Sequence, residues 1–135
     1  MEIEALLLDT SAYSAFMKGN VDIKLALQQT DEIYLSPIVL GELMSGFRRG
    51  KYRKKNEEEL AAFLSSPRVR TLRIDDGTAE RYAVILNSLW AAGTPIPTND
   101  LWIAASAMQH GLHLLTTDTH YMKVPQIITD FFPTS

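Results

Sequence analysis

Apolar residues run almost unbroken from Ile3 to Leu8, the pattern of a strand covered on both faces, and Asp9 ends the run. From Ser11 to Met17, and again from Val21 to Gln29 behind Asn20 as N-cap, the apolar spacing turns helical. Ile33 to Leu35 reads as a second strand. Ser36 and Pro37 then supply an N-cap and a first-turn proline for a helix that Gly50 closes as a left-handed cap. A further helix follows over about Tyr52 to Ser65, ending before Pro67. Val69 to Ile74 is the third strand, and Ala79, Tyr82, Ala83, Leu86, Leu89 and Trp90 trace the buried stripe of a helix that stops near Gly93. After Pro95 and Pro97, Thr98 caps a helix reaching about His110, and Gly111 ends it. Leu112 to Thr116 and Gln126 to Thr129 complete the strands. Strands alternating with helices, each connection long enough for a crossover, predict a three-layer α/β/α domain. Its centre is an open, mostly parallel sheet of about five strands.

The length of 135 residues fits one domain, 1–135, able to bury roughly two-thirds of its unfolded surface. No apolar stretch approaches the roughly twenty residues of a membrane helix. The segment before Asp9 lacks the basic start and long apolar run of a secretory signal, so a cytoplasmic location is expected. Cysteine is absent, which leaves oxygen and imidazole as the available metal ligands. A formal charge of −3 gives no global attraction for polyanions, yet six of the 13 basic residues crowd into Arg48, Arg49, Lys51, Arg53, Lys54 and Lys55.

In an open parallel sheet, ligands bind beyond the carboxyl ends of the strands. Asp9 follows Ala5-Leu6-Leu7-Leu8 and Asp118 follows Leu114-Leu115-Thr116-Thr117, which places both carboxylates on one rim. Each also suits a plain helix cap. Asp100 is less easily explained. At about 100° per residue it shares a face with Ile103, Ala104, Ala107 and Met108, so it heads a buried stripe and needs a positive partner. Glu42 lies about 60° outside the apolar arc of Val39, Leu40, Leu43, Met44 and Phe47, bordering the core, where pairing with Arg49 is the ordinary alternative. Gly46 leaves that side of the helix uncovered. Four carboxylates close together repel one another unless cations compensate, and hard oxygen donors select Mg²⁺ or Mn²⁺. Such ions serve phosphodiester hydrolysis without a nucleophilic side chain.

In order along the chain, four segments resemble the PIN-domain nucleases: Leu7-Leu8-Asp9-Thr10-Ser11, Gly41-Glu42-Leu43, Asn99 to Ala105, and Leu115 to Tyr121. The Asp-Thr-Ser start, the Asp-x-x-Ile-Ala-Ala helix and the compact length are most similar to VapC toxins of VapBC toxin–antitoxin modules. The resemblance implies a PIN-like fold and a Mg²⁺- or Mn²⁺-dependent endoribonuclease whose acidic quartet is Asp9, Glu42, Asp100 and Asp118. It implies Asp9, Asp100 and Asp118 as metal ligands, with Glu42 ligating directly or through water. Thr10, Ser11 and Thr116 fall where the family places small polar groups around the metal. A VapB-type antitoxin covering the catalytic groove and a homodimer are implied as partners. Tyr121 stands where many relatives carry phenylalanine.

Arg48, Arg49, Lys51 and Tyr52 are candidate RNA contacts, by phosphate pairing and base stacking. Against this, Arg53, Lys54 and Lys55 each precede a glutamate by four residues, the spacing of a solvated helix face. His110 and His113, separated by the helix-ending Gly111, have no third ligand after them and read as structural or surface residues; His120, two residues after Asp118, is near enough to the acids to touch substrate but reads first as a surface loop histidine. Trp90 and Trp102 read as core. Three other functions begin from similar features. A haloacid-dehalogenase-type phosphatase needs a second aspartate where Ser11 stands. A non-catalytic RNA- or protein-binding module would tolerate gaps in the acidic set, and none occur. A PIN nuclease of RNA processing or structured DNA would carry the same acids, but the compact chain without an appended domain favours the toxin.

Overall fold

Leu6, Leu7 and Leu8 are all fully buried in the computed structural model, which describes residues 3–134. Successive strand residues point to opposite faces, so this run requires cover on both sides of the sheet. The strand they belong to, β1 (Ile3–Leu8), is central. It is followed by α1 (Thr10–Met17), α2 (Val21–Gln28), β2 (Thr30–Leu35), α3 (Pro37–Arg49), α4 (Arg53–Leu64) and β3 (Val69–Thr71). The chain continues through α5 (Asp76–Ala92), α6 (Thr98–His110), β4 (His113–Thr116), a 3₁₀ turn at Thr119–Lys123 and β5 (Thr129–Phe131).

The five strands are parallel throughout, in the order β3-β2-β1-β4-β5. The chain builds outward from β1 through β2 to β3, then returns to the other side of β1 with β4. The point of reversal therefore lies between β1 and β4, where Leu8 pairs with Leu115. At such a switch point the flanking connections diverge and leave a crevice beyond the strand ends. Asp9 stands at its mouth, its backbone N–H donating to Leu115 O at 3.2 Å.

Local chemistry explains most element ends. Asn20 caps α2 by accepting from Ile23 N, and Ser36 caps α3 by accepting from Ile38 N, with Pro37 in the first turn. Gly93 and Gly111 end α5 and α6 in the left-handed region, with φ of 71° and 62°. Gly50 departs from expectation. Its φ of −96° and ψ of 169° are extended, so α3 turns directly into the Lys51-Tyr52 link without a left-handed cap. Thr98 is the first residue of α6, after Pro97, and makes no side-chain cap. The start of α5 was not anticipated: Asp75 and Thr78 form a reciprocal capping box, which Gln109 of α6 ties down by donating to Asp75 at 2.7 Å.

Strand bounds shift as well. Strand β2 begins at Thr30 rather than Ile33, β3 stops at Thr71, and β5 lies at Thr129–Phe131 rather than 126–129. The buried stripe of α5 is Thr78, Ile85 and Leu89, flanked by half-buried Tyr82 and Leu86, while Ala79 and Ala83 face out. Trp90 is 66% exposed, so it is no core residue. Trp102 is half-buried and stacks on Tyr82 with ring centroids 4.3 Å apart, helping join α5 to α6. Among the described residues no helix is long and apolar enough to cross a membrane.

Candidate metal centre

Asp9 leaves β1 at its carboxyl end and becomes the N-cap of α1, accepting from Ala12 N at 2.7 Å. Its helix-cap role and its place on the rim are the same fact. Only 3% of Asp9 is exposed, and its oxygens also accept from Ser11 Oγ at 2.8 and 2.9 Å and from Thr116 Oγ1 at 2.5 Å. Burial pushes its carboxyl up to about 6; these three donors hold it down, and the nearby charge of Asp118 adds to the rise.

Thr116 connects the two strand ends. It donates to Asp9 and accepts from Asp118 N at 2.9 Å, while Ser11 Oγ accepts from Thr117 N at 3.1 Å. Asp118 then caps the 3₁₀ turn by accepting from His120 N at 2.8 Å. That turn swings two side chains onto Asp100, which projects from the first turn of α6. His120 Nδ1 lies 2.8 Å from Asp100 Oδ2 and 3.2 Å from Asp118 Oδ1, and Tyr121 donates its hydroxyl to Asp100 Oδ1 at 3.2 Å. Desolvation raises the Asp100 carboxyl; the His120 bond opposes this, Asp118 reinforces it and the Tyr121 bond opposes it. Tyr121 is itself buried and its hydroxyl is pushed far up by desolvation and by the charges of Asp100, Asp9 and Glu42.

Glu42 reaches the same region from α3. Thr10 Oγ1 donates to its Oε1 at 2.5 Å and Asn99 Nδ2 to its Oε2 at 3.3 Å, so α1 and α6 each hold one oxygen. Arg49 does not pair with it. Its Nη1 donates to Ser45 Oγ at 2.8 Å instead.

The structure thus brings Asp100, Asp118 and His120 within ligating reach of one another, with ligand atoms all inside 4.8 Å. Asp9 joins them through Thr116 and by charge, and Glu42 stands at the margin. Thr10, Ser11 and Thr116 all contact the acids. His120 is a correction to the sequence reading, which left it as a surface residue. Asn99 was likewise not singled out for a role. His113 pairs with Asp130 at 3.0 Å on neighbouring strands, apart from the acids.

Among the described residues no lysine or arginine forms an ion pair with any of the four acids. The carboxyls of Asp9 and Asp100, raised by burial and by the charge of Asp118, together with Asp118 and one imidazole, form a donor set suited to a hard divalent ion. Asp100, Asp118 and His120 place their ligand atoms close enough together to share one, and Asp9 stands beside them. Of the basic segment, Arg49 lines a groove with Glu42, whereas Tyr52 is 68% exposed and Arg48 and Lys51 are also solvent-facing. Arg53 pairs with Glu57 at 3.3 Å; Lys54 and Lys55 form no ion pair among the described residues.

The sequence pattern of the PIN domain matches residues 6–127 of this chain. The chain is 35% identical over 120 residues to Ribonuclease VapC1 of Rickettsia felis, covering 87% of this chain and 88% of that protein. It is 33% identical over 93 residues to Ribonuclease VapC4 of Mycobacterium tuberculosis, covering 69% and 72%. Among solved structures it superposes on a chain of VapBC2 from Rickettsia felis, crystallised on a DNA fragment from its promoter, with a TM-score of 0.81 and 25% identity. That match covers 93% of this chain and 97% of the other.

Proposed function

The chain belongs to the PIN-domain family, and from that premise we propose that it is a Mg²⁺- or Mn²⁺-dependent endoribonuclease, the toxin of a VapBC-type pair. The observation that carries this reading is the carboxylate rim at the β1/β4 switch point. There Asp100, Asp118 and His120 converge, beside a buried Asp9 that pairs with no lysine or arginine among the described residues.

When bound, a divalent ion supplies positive charge that stabilises the phosphate in the transition state and activates water for attack. Asp9, Asp100 and Asp118 would hold it. Thr116, Ser11 and the Ala12 N–H fix the Asp9 oxygens, so the carboxylate needs no reorganisation as charge develops. Glu42, clamped by Thr10 and Asn99, orients the attacking water and takes up its proton. His120 and Tyr121 keep the Asp100 carboxylate aimed inward. The substrate is RNA, a VapB-type antitoxin covers the groove when the protein is held inactive, and the working assembly is a cytoplasmic homodimer.

The test is cleavage of total cellular RNA by purified protein with Mn²⁺ or Mg²⁺, against EDTA and Asp100→Asn controls. Discrete fragments absent from both controls are expected. A folded, metal-supplied protein that leaves RNA intact would contradict the reading.

A further inference from the structure

A shallow groove of about 430 Å³ opens beside Glu42, lined by Ile38, Gly41, Glu42, Ser45, Arg49 and Asn99. Its floor is one face of α3. At about 100° per residue Glu42 and Arg49 differ by only about 20° around the helix and stand two turns, about 10 Å, apart. Arg48, by contrast, points about 100° away from Arg49. The basic cluster is therefore split by helix geometry, with one member in line with the acidic site.

Three features fit this groove to a polyanionic strand. Both Glu42 oxygens are already held by neutral donors, so this carboxylate leaves Arg49 unpaired, and Arg49 forms no ion pair among the described residues. Its one described bond, to Ser45, anchors the guanidinium to the helix while its remaining N–H donors stay available. A guanidinium offers a planar fork that matches a phosphate. Finally, nothing lies within 4 Å of where a Cβ on Gly41 would sit, so no packing contact demands glycine there. In a helix interior glycine costs about 1 kcal/mol relative to alanine, and what the bare backbone gives in return is clearance beside Glu42.

We propose that this α3 groove is the track for the RNA strand on the Glu42 side of the scissile phosphate, with Arg49 binding a neighbouring phosphate and Gly41 keeping the track open. The inference rests on the endoribonuclease reading and assigns its substrate path. Arg49 thereby separates from Arg48, Lys51 and Arg53, which lie off the track.

The experiment compares Arg49→Ala, Arg49→Lys, Gly41→Leu and, as an off-track control, Arg53→Ala. It measures Mn²⁺-dependent cleavage kinetics and the salt dependence of binding to a short fluorescein-labelled RNA of mixed sequence. Arg49→Ala is expected to flatten the slope of log affinity against log salt by about one, with partial rescue by lysine. Gly41→Leu is expected to raise KM on the order of tenfold while melting at or above the wild-type temperature, since leucine is the better helix former. A site that is merely structural would not give a more stable protein with weaker substrate binding. If Gly41→Leu and Arg49→Ala cleave with wild-type KM and salt slope, the track is wrong although the nuclease stands. If the wild-type protein itself neither binds nor cleaves RNA, the reading beneath the track fails and takes the track with it.

Discussion

The acidic rim and the basic turn between α3 and α4 are both concentrations of charge, but they are built in opposite ways. On the rim, Asp9 is buried, Asp100 is half-buried, and their partners are hydroxyls, amides and a single imidazole. In the turn, Arg48, Lys51, Tyr52 and Arg53 all face solvent, and Arg48 and Arg49 sit in the last turn of α3, where the helix dipole favours them. A solvated cluster costs the fold little and has no need of a function. A desolvated cluster of like charge lowers stability, so its presence calls for a compensating ion. Charge density read from the sequence cannot separate the two; burial does.

The largest expected effect is on catalysis. Asp9→Asn and Asp118→Asn should each lower Mn²⁺-dependent RNA cleavage by about a thousandfold, since each removes charge stabilisation worth several kcal/mol in the transition state. Circular dichroism should show both folded. Retained activity would make the rim a structural feature like the turn.

Next in size is the stability of the metal-free protein. The Asp9 carboxyl is raised from 3.8 to about 6 by burial, so between these values the folded protein holds a proton that the unfolded chain has lost. The associated stability is fully present below about pH 4 and is lost as pH rises through 6, about 3 kcal/mol in all. Urea unfolding in EDTA across this range should show the decline, and Asp9→Asn should remove most of it. Added Mn²⁺ should stabilise the wild type more at pH 7.5 than at pH 5. A metal-free stability that rises with pH would overturn the assignment of burial as the dominant influence.

His120→Ala comes third. It frees Asp100 and Asp118 from their shared nitrogen and should weaken Mn²⁺ binding about 10- to 100-fold, the usual cost of losing a ligand's orienting partner. Calorimetric titration reads this. The smallest effect is expected in the basic region: Arg53→Ala breaks an exposed pair with Glu57 and should change stability by no more than about 0.5 kcal/mol. A larger loss would mean that the turn supports the fold.

Much of this was legible in the sequence. The continuous apolar run before Asp9 predicts a parallel strand with an acid at its carboxyl end, and helix arithmetic alone aims Asp100 inward. The caps Asn20, Ser36 and Gly111 follow from backbone chemistry alone. His120 was not legible. A histidine in a short 3₁₀ turn carries no periodic signal, and its contact with Asp100 arises only when that turn folds back over the start of α6. The phase of α5 is hidden in the sequence for another reason. Ala79, Ala83, Val84, Ile85, Leu86, Leu89 and Trp90 are apolar on nearly every side, so the pattern fits more than one buried face, and the fold buries Ile85 while leaving Trp90 exposed. Gly50 meets the composition rule for a left-handed cap, but its backbone is extended and leads through Lys51 and Tyr52 into α4.

The most direct test of the metal centre is anomalous diffraction from crystals of the protein grown with Mn²⁺ near pH 7.5. A manganese peak bounded by Asp9, Asp100 and Asp118, and lost in Asp100→Asn crystals, is the expected result. An ordered rim with no manganese among these carboxylates would contradict the account.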